Sequence, residues 1–548
     1  MAPLRKGTQL NSDSKVKAQI LNEQFQSVFT KEDDSHPHLD GPPHPPIPAL
    51  DISVDGVRKL LNGLKVNKAS GPDNIPNRVL RELADELAPS LHLIFAQSLS
   101  SSQLPSDWRN ANISPIFKKG DRHVASNYRP VSLTSVCCKL LEHIVCKHIR
   151  NHLDDHGILN NRQHGFRKKH STESQLLVTL HDLTSLWDQK LQTDVVILDF
   201  SKAFDCVPHN KLLTKLDHYG IRGDVHQWIS CFLKERIQQV VVDGTMSDSV
   251  EVESGVPQGT VMGPLLFLLF INDLPQQVTS EARLFADDCL LYRAVRTPED
   301  HYALQRDLEN LHSWSITWGM SFNANKCYVM ALTNKKQPSS FLYSLGGCVL
   351  SKVPSTTYLG VTIREDLQWE NHISGITAKA NRTLGFLRRN LRYCPKQLRE
   401  LAYFSLVRSR LEYASIVWDP YWAKDITKLE GVQRRAARFV TNDHRRTSSV
   451  SDMLENLDWE SLQSRRQKGR IRYMNKIVSG RVAVASQEYL EENLTRTRSV
   501  NTRKFKLIPT KTNLLKNSYF PRTIVEWNKT PDSTVAELDS THITHMLD

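Results

Sequence analysis

Two adjacent carboxylates between two short apolar runs mark the stretch of this sequence best suited to chemistry. Residues 283–292 read RLFADDCLLY, so Asp287 and Asp288 are flanked by apolar residues on both sides. Short apolar runs are typical of buried β-strands, and the pattern predicts a hairpin with the aspartates at its turn. Neighbouring anions repel each other, and a divalent cation such as Mg²⁺ would neutralise them. For this pair alone, a solvated turn is the alternative.

A third aspartate follows another apolar run upstream. Residues 195–198 read VVIL and immediately precede Asp199. Consecutive β-branched and aliphatic residues predict a strand that is buried on both faces and ends where Asp199 can reach solvent. Three carboxylates, from Asp199, Asp287 and Asp288, then become available at one edge of a sheet.

These segments together resemble the palm of reverse transcriptases. Between them, residues 254–265 read SGVPQGTVMGPL, which is similar to the segment that positions template and nucleotide in that family. The resemblance implies that Asp199, Asp287 and Asp288 hold two Mg²⁺ ions, with Mn²⁺ as an alternative. It also implies an α+β fold, a right-hand polymerase with fingers, palm and thumb, an antiparallel palm sheet, and helical N- and C-terminal extensions.

Further motifs extend the resemblance over the chain from about residue 15 onward. Segments before and after the palm look like the jockey-like branch of non-LTR (LINE-type) retrotransposon enzymes: KASGPD at 68–73, PIFKKGD at 115–121, NYRPVSL at 127–133, LEY at 411–413, VWDP at 417–420, QRRA at 433–436, WESL at 459–462 and YFPR at 519–522. One departure is Phe285, which stands where many reverse transcriptases have tyrosine. This change keeps the aromatic ring and loses a hydroxyl.

The resemblance also implies roles for residues outside the carboxylate set. The implied nucleotide-binding residues are Phe204, Gln258, Gly259, Arg129, Lys118 and Lys119; the implied nucleic-acid-binding residues are Arg167, Tyr358, Gly360, Arg434, Arg435 and Arg438; and Lys326 is the implied proton donor to pyrophosphate. Guanidinium and ammonium groups suit phosphate oxygens. The Phe204 ring would lie beside the sugar of the incoming nucleotide and exclude ribose. The alternatives are a core phenylalanine at 204 and solvated lysines at 118 and 119, while Asp205 receives no role.

The charge balance favours a polyanionic partner. The 548 residues include 71 Lys and Arg against 59 Asp and Glu, a formal net charge of +12. Between residues 381 and 450 there are 15 Lys and Arg but six Asp and Glu. In that stretch Arg434, Arg435 and Arg438 lie opposite an apolar helix face, so a phosphate-binding surface is expected, with a solvated helix face as the alternative.

Cysteine spacing and hydropathy indicate in which compartment the protein is located. The nine cysteines are not spaced as zinc ligands or as a disulfide framework. The longest apolar run, residues 265–271, is far shorter than a membrane span requires. We therefore expect an intracellular protein, in the nucleus or cytoplasm, with no membrane partner.

Composition and the resemblance together divide the chain into five parts. Residues 1–50 are predicted to be a flexible segment and proline-rich linker with one helix near 15–29, and residues 51–110 are predicted to be a helical extension. Residues 111–363 are the predicted reverse transcriptase domain with fingers and palm. Residues 364–445 are a predicted helical basic thumb, and residues 446–548 are a C-terminal extension without an assigned role. Fifty polar residues cannot build the endonuclease that usually precedes such polymerases.

The expected activity is RNA-directed DNA polymerisation for a non-LTR retrotransposon. The expected partners are an RNA template, a DNA primer and deoxynucleoside triphosphates, together with a separate endonuclease or an element-encoded RNA-binding protein. Two other functions stay open. A maturase-type reverse transcriptase would share the palm but not the C-terminal motifs, and a catalytically inactive or domesticated relic would bind RNA through the basic thumb.

Overall fold

A computed structural model describes residues 1–31, 35, 37–493 and 503–538. The predicted C-terminal extension therefore lies partly outside the described residues. The first elements are β1 (Leu4–Lys6), β2 (Gln9–Asn11), α1 (Ser14–Gln26), α2 (Val54–Asn62), α3 (Asn77–Glu82), α4 (Ala84–Ser101), α5 (Ser106–Arg109), β3 (Asn110–Phe117), β4 (Tyr128–Leu133) and α6 (Val136–Asp155).

The middle of the chain alternates helices and strands. Its elements are α7 (Thr172–Asp188), β5 (Gln192–Asp199), α8 (His209–His218), α9 (Gly223–Leu233), β6 (Ile237–Val242), β7 (Thr245–Met246), β8 (Val250–Glu251), α10 (Gly263–Phe270), β9 (Glu281–Phe285), β10 (Asp288–Val295), α11 (Pro298–Thr317), β11 (Tyr328–Leu332), β12 (Ser344–Leu345), β13 (Cys348–Val349), β14 (Ser351–Lys352), β15 (Ser355–Tyr358) and β16 (Val361–Arg364).

The elements assigned after residue 365 are helical. They are α12 (Glu370–Asn390), α13 (Lys396–Tyr403), α14 (Ser409–Glu412), α15 (Ser415–Trp418), α16 (Ala423–Thr441), α17 (Val450–Asn456), α18 (Leu462–Val478), α19 (Ser486–Tyr489), α20 (Asn513–Lys516) and α21 (Tyr519–Trp527). In the described ranges, no helix is both long and apolar enough to cross a membrane. The mixture of helices and strands confirms the predicted α+β class.

The chain divides into two compact units whose segments alternate along the sequence. The first unit contains Met1–Phe166, Asp199–Thr279 and Asp307–Ala324. The second unit contains Arg167–Leu198, Ser280–Arg306 and Asn325–Asp548. Each unit has its own sheet and its own apolar core.

The sheet of the first unit is covered by helix α1. Its strand order is β4-β3-β6-β7, and β8 also pairs with β6. Helix α1 confirms the predicted N-terminal helix, and the Asp13 carboxylate caps it by accepting a bond from the Val16 N–H at 2.9 Å. Leu21 and Phe25 of α1 pack in the same core as Val240 of β6.

The N-terminal segment is bound to residues more than 200 positions later in the first unit. The Lys17 ammonium group lies 3.0 Å from the Asp243 carboxylate. The Thr30 N–H donates to the Ser254 hydroxyl at 2.8 Å. Residues 1–30 are thus an integral part of the first unit.

Residues 42–48, which we call the proline strap, lie in the segment that the sequence predicts to be a proline-rich linker. The His44 N–H donates to the His218 carbonyl at 2.9 Å, and the Ile47 N–H donates to the Gly220 carbonyl at 2.7 Å. These bonds attach the strap to the end of α8. Proline restricts the backbone before folding, so the strap loses little conformational entropy on binding there.

The sheet of the second unit contains the strands that carry the predicted carboxylates. Its order is β14-β11-β5-β10-β9. The central strand β5 is buried, since Val195, Val196 and Leu198 are at most 1% exposed. Strands β9 and β10 are antiparallel, and Phe285 is paired with Asp288. The predicted strand and the predicted hairpin are both confirmed.

A buried group of charges joins the C-terminal helices of the second unit. The Asp419 carboxylate follows α15 and is 4% exposed. It pairs with Arg466 at 2.5 Å and also with Arg470, both on α18. Arg522 of α21 lies 3.3 Å from the same carboxylate. This group explains the aspartate of the VWDP motif as a structural residue.

Candidate active site

The turn between β9 and β10 carries two of the three predicted carboxylates. Only Ala286 and Asp287 separate the paired residues Phe285 and Asp288. Ala286 has a φ of +54°, which costs an L-residue roughly 1–2 kcal/mol and is often found at functional sites. Asp287 is half-buried and Asp288, the first residue of β10, is exposed. The short turn therefore presents both carboxylates at the edge of the sheet.

A carboxylate on α7 anchors both strands of this hairpin. The Arg283 guanidinium donates to Asp182 at 2.8 Å. The Tyr292 hydroxyl donates to the same Asp182 oxygen at 2.6 Å. Burial, together with the Asp182 charge, raises the pKa of Tyr292, so its hydroxyl stays protonated as a donor. No local sequence pattern indicates this network, because Asp182 precedes its partners by about 100 residues.

Asp199 is the last residue of β5, whose neighbour in the sheet is β10. Its side chain is half-buried, and its backbone carbonyl accepts a bond from the Asn323 N–H at 2.8 Å. Asp199, Asp287 and Asp288 offer oxygen donors only, which is the chemistry that Mg²⁺ prefers. Within the described residues, no group of three or more His, Cys, Asp or Glu side chains is arranged to hold a metal ion by itself.

Phe204 of the first unit is half-buried. Its exposure is intermediate between that of a core phenylalanine and that of a ring fully open to a nucleotide. Its ring stacks on Phe267 of α10, with centroids 4.3 Å apart and an interplanar angle of 19°. Phe166 meets it edge-on at 6.2 Å. These contacts fix the orientation of the ring and leave part of it accessible.

Asp205, which received no role from the sequence, holds the side chain of Gln258. The Gln258 amide nitrogen donates to the Asp205 carboxylate at 2.8 Å. Burial raises the pKa of Asp205, while the bond from Gln258 and the positive charges of Lys202 and Arg129 oppose that shift. The two residues are 53 positions apart, and no local pattern in the sequence indicates the contact.

The backbone of the Gln258 turn is fixed from two sides. The Ser132 N–H of β4 donates to the Gln258 carbonyl at 2.7 Å. Gly259 has a φ of +104°, and a Cβ there would lie 2.7 Å from the Ser132 carbonyl oxygen, so only glycine fits. The buried Glu142 carboxylate accepts the Val261 and Met262 N–H groups at 2.7 and 2.9 Å. Burial raises the pKa of Glu142.

The predicted triphosphate ligands lie at one end of the β3–β4 pair. Arg129 is exposed and directly opposite Ile116. Lys118 and Lys119 follow β3 at the same end and are also exposed. The first unit therefore contains these three cations as well as Phe204, Gln258 and Gly259.

Arg167 and Lys326 belong to the second unit and lie at its segment boundaries. Arg167 is half-buried and follows Phe166, whose φ is +54°. Lys326 is exposed at the end of a 3₁₀ turn, Ala324–Lys326, that precedes β11.

The predicted primer-gripping turn lies between β15 and β16. Tyr358 is 2% exposed, and its hydroxyl accepts a bond from the Gln175 amide at 3.1 Å. Tyr413 donates to the Leu359 carbonyl at 3.0 Å, and Gly360 is exposed with a φ of +82°. The Tyr358 ring therefore supports the turn from the core, and Gly360 forms its outer surface.

The predicted basic face of α16 has two arginines bound to neighbouring segments. Arg434 and Arg435 are exposed, and Arg438 is half-buried. Arg435 donates to the Asn381 side chain at 3.0 Å, and Arg438 donates to the Arg445 carbonyl at 2.7 Å.

Comparison with known proteins agrees with this geometry. The sequence profile of the family "Reverse transcriptase (RNA-dependent DNA polymerase)" matches residues 116–363. That range includes the β5 strand with Asp199, the Gln258 turn and the β9–β10 hairpin.

Relatives extend the similarity beyond the domain. The RNA-directed DNA polymerase from mobile element jockey of Drosophila funebris is 32% identical over 60% of this chain and 37% of its own length. The probable RNA-directed DNA polymerase from transposon BS of Drosophila melanogaster is 28% identical over 74% of this chain and 46% of its own length. The chain thus spans less than half the length of these relatives. Residues 116–363 form a reverse transcriptase domain, in a chain similar to the polymerases of the jockey and BS mobile elements.

Proposed function

We propose that this chain is an RNA-directed DNA polymerase of a non-LTR retrotransposon. The observation that carries the proposal is the order of strands within the matched domain: β5, which ends in Asp199, neighbours β10, which begins with Asp288 after the strained Ala286-Asp287 turn. The substrates are an RNA template, a DNA primer and deoxynucleoside triphosphates. We expect them to occupy a right-hand polymerase with fingers, palm and thumb.

The carboxylates of Asp199, Asp287 and Asp288 are the proposed ligands of two Mg²⁺ ions, which Mn²⁺ could replace. When bound, such ions lower the pKa of the primer hydroxyl and neutralise charge on the departing pyrophosphate. The all-oxygen donor set and its position at a turn support this assignment.

The other site residues position and neutralise the substrate. Arg129, Lys118 and Lys119 are proposed to bind the triphosphate, because all three are exposed cations at one end of a strand pair. Gln258 and Gly259 would contact the nucleotide through a turn whose backbone is fixed. Lys326 is proposed as the proton donor to pyrophosphate, and Gly360 as part of the turn that grips the primer.

Primer extension by the full chain tests the proposal directly. A labelled DNA primer annealed to an RNA template should be extended in the presence of Mg²⁺ and all four deoxynucleoside triphosphates. Asp199→Asn should lower the extension rate by at least about a thousandfold, since a lost metal ligand removes several kcal/mol of charge stabilisation in the transition state. Asp287→Asn should lower the extension rate by a similar factor.

The matched control is Asp224→Asn, which removes an exposed carboxylate at the start of α9. This variant should extend the primer at the wild-type rate. Near-normal extension by Asp199→Asn would refute the carboxylate assignment. A wild-type chain that binds RNA but adds no nucleotide would refute the polymerase and favour the RNA-binding relic.

A further inference from the structure

A cavity of about 600 Å³ in the second unit has a strongly basic lining. It lies at the C-terminal end of α12, beside α13 and the end of α16. The lining residues are Gly385, Arg388, Arg389, Arg392, Arg399, Phe439, Asn442 and His444. We call it the arginine cavity. Four of its eight residues are arginines and none is acidic, so the lining itself contains no compensating anion.

The arginines of the cavity differ in burial. Arg388, Arg389 and Arg392 are exposed, as expected for side chains that meet a ligand from solvent. Arg399 is only 8% exposed; its guanidinium donates to the Phe439 carbonyl at 3.2 Å, and its Nε has no hydrogen-bond partner within the described structure. A buried guanidinium normally requires an anion. The floor of the cavity is therefore positively charged.

The surroundings of His444 point to the same positive potential. Burial lowers the pKa of His444, and the charges of Arg388, Arg438 and Arg392 lower it further, whereas Asp443 raises it. Asp443 adjoins the lining residues Asn442 and His444, and its carboxylate is already bound by Arg445 and Ser448 at 2.8 and 2.7 Å. It therefore does little to neutralise the four cavity arginines.

Exposed aromatic rings flank the arginines. Tyr393 is 92% exposed, and the Arg392 guanidinium lies 5.6 Å from its ring centroid. Phe386, one position from Gly385 of the lining, is 56% exposed. An aromatic side chain this exposed gains little from folding. Alternating arginines and exposed rings are the features that bind single strands, since arginines hold the phosphates while bases stack on the rings.

We propose that the arginine cavity binds the phosphate backbone of a single-stranded nucleic acid, with a base stacked on Tyr393. A duplex keeps its bases paired and stacked, so it could use the arginines but not the ring. Arg434, Arg435 and Arg438 do not line the cavity. The site requires no polymerase activity and so does not depend on the proposed function.

Fluorescence anisotropy with the full chain, without Mg²⁺ and at several salt concentrations, tests this site. The probes are an unstructured RNA of about 12 nucleotides, the DNA of the same sequence, and the matching DNA duplex. The double variant Arg388→Ala/Arg392→Ala should bind the single strands at least about tenfold more weakly, and its salt slope should fall by about 1.4 because two phosphate contacts are lost. Tyr393→Ala should weaken single-strand binding about tenfold and duplex binding little, and Tyr393→Phe should restore it.

Lys335→Ala/Lys336→Ala is the charge-matched control, because it removes two exposed cations from the loop after β11 in the same unit. It should bind like the wild-type chain. The assay contains neither Mg²⁺ nor nucleotides, so it measures this site whether or not the chain polymerises, which separates this site from failure of the polymerase. If the double arginine variant loses the same affinity for RNA and DNA, the sugar-phosphate backbone that both share is the ligand. A larger loss of affinity for one of them would identify the preferred nucleic acid.

Two results would overturn the proposal. In one, the double arginine variant binds as tightly as the lysine control. In the other, Tyr393→Ala weakens duplex and single strands equally or leaves both unchanged, so that the ring has no base-stacking role. Thermal unfolding of each variant should match the wild-type chain, since all three substituted side chains are exposed.

Discussion

Asp205 orients the side chain of Gln258, and this contact should matter for nucleotide affinity. Asp205→Ala removes the acceptor of the 2.8 Å bond, so the Gln258 amide can rotate away from its bound orientation. We expect the KM for deoxynucleoside triphosphates to rise about tenfold, because one hydrogen bond worth about 1.4 kcal/mol is lost. The change in kcat should be smaller. Steady-state primer extension measures both constants.

Asp205→Asn is the matched variant, because its amide oxygen can still accept the bond from Gln258. It should restore the KM. Burial raises the pKa of Asp205, so ionisation costs folding free energy as pH rises above the unfolded value of about 3.9. Asp205→Asn should therefore be at least as stable as wild type at neutral pH. An unchanged KM in the alanine variant would show that Gln258 is oriented without Asp205.

Phe204 is the residue on which sugar selection should depend. Its ring is held against Phe267 and only partly buried, so a substrate could meet its free edge. The ribose 2′-hydroxyl is the only group that separates RNA precursors from DNA precursors. Phe204→Val should raise the ratio of ribonucleotide to deoxynucleotide incorporation at least tenfold while extension with deoxynucleotides continues.

Phe267→Leu serves as the control for Phe204→Val, because it removes the stacking partner from the core while the 204 ring stays. We expect it to lower stability more than it alters sugar selection. Incorporation of competing ribo- and deoxynucleotides, measured beside thermal unfolding, separates the two effects. A Phe204→Val protein that is merely less stable, with an unchanged incorporation ratio, would identify the ring as a packing residue.

At the scale of elements, Asp419 holds the C-terminal helices together. Its carboxylate is buried among Arg466, Arg470 and Arg522, and Glu526 also pairs with Arg470 and Arg522. Asp419→Ala leaves the buried Arg466 guanidinium without its ion-pair partner, and we expect a loss of about 3–5 kcal/mol in the free energy of unfolding. Urea denaturation followed by tryptophan fluorescence measures this loss.

Glu370→Ala is the exposed counterpart, since the Glu370–Lys424 pair is more than half exposed on both sides. Its loss should cost at most about 1 kcal/mol. If both variants unfold at the same urea concentration, the buried charges are not what joins α15, α18 and α21.

The elements predicted correctly are those whose signal is local. The β5 strand and the β9–β10 hairpin follow from short apolar runs that lie next to aspartates. The contacts that position these elements are not local. Asp182 binds the hairpin from 101 residues away, and the proline strap bonds to α8 from about 174 residues away. A single sequence contains no pattern for such pairs, so the bonds that attach the proline strap could not be predicted.

At the scale of the whole molecule, the second unit has one core from α7 to α21. Leu177 and Val195 belong to the same apolar cluster as Leu384, Val432 and Trp527. A cut at about residue 370 would therefore divide a core rather than remove a separate thumb. We expect a chain ending at residue 369 to bind a hydrophobic dye and to aggregate, as measured by dye fluorescence and light scattering. A soluble, cooperatively folding fragment would contradict a shared core.

The alternation of the two units also has a consequence for synthesis on the ribosome. Lys17 and its partner Asp243 are 226 residues apart. At 5–20 residues per second, α1 waits about 10–45 s after emerging before its partner is made. During that time Leu21 and Phe25, which are later buried, have no sheet to cover them. The nascent chain is therefore expected to need chaperone protection of its N-terminal helix until β6 and β7 have left the exit tunnel.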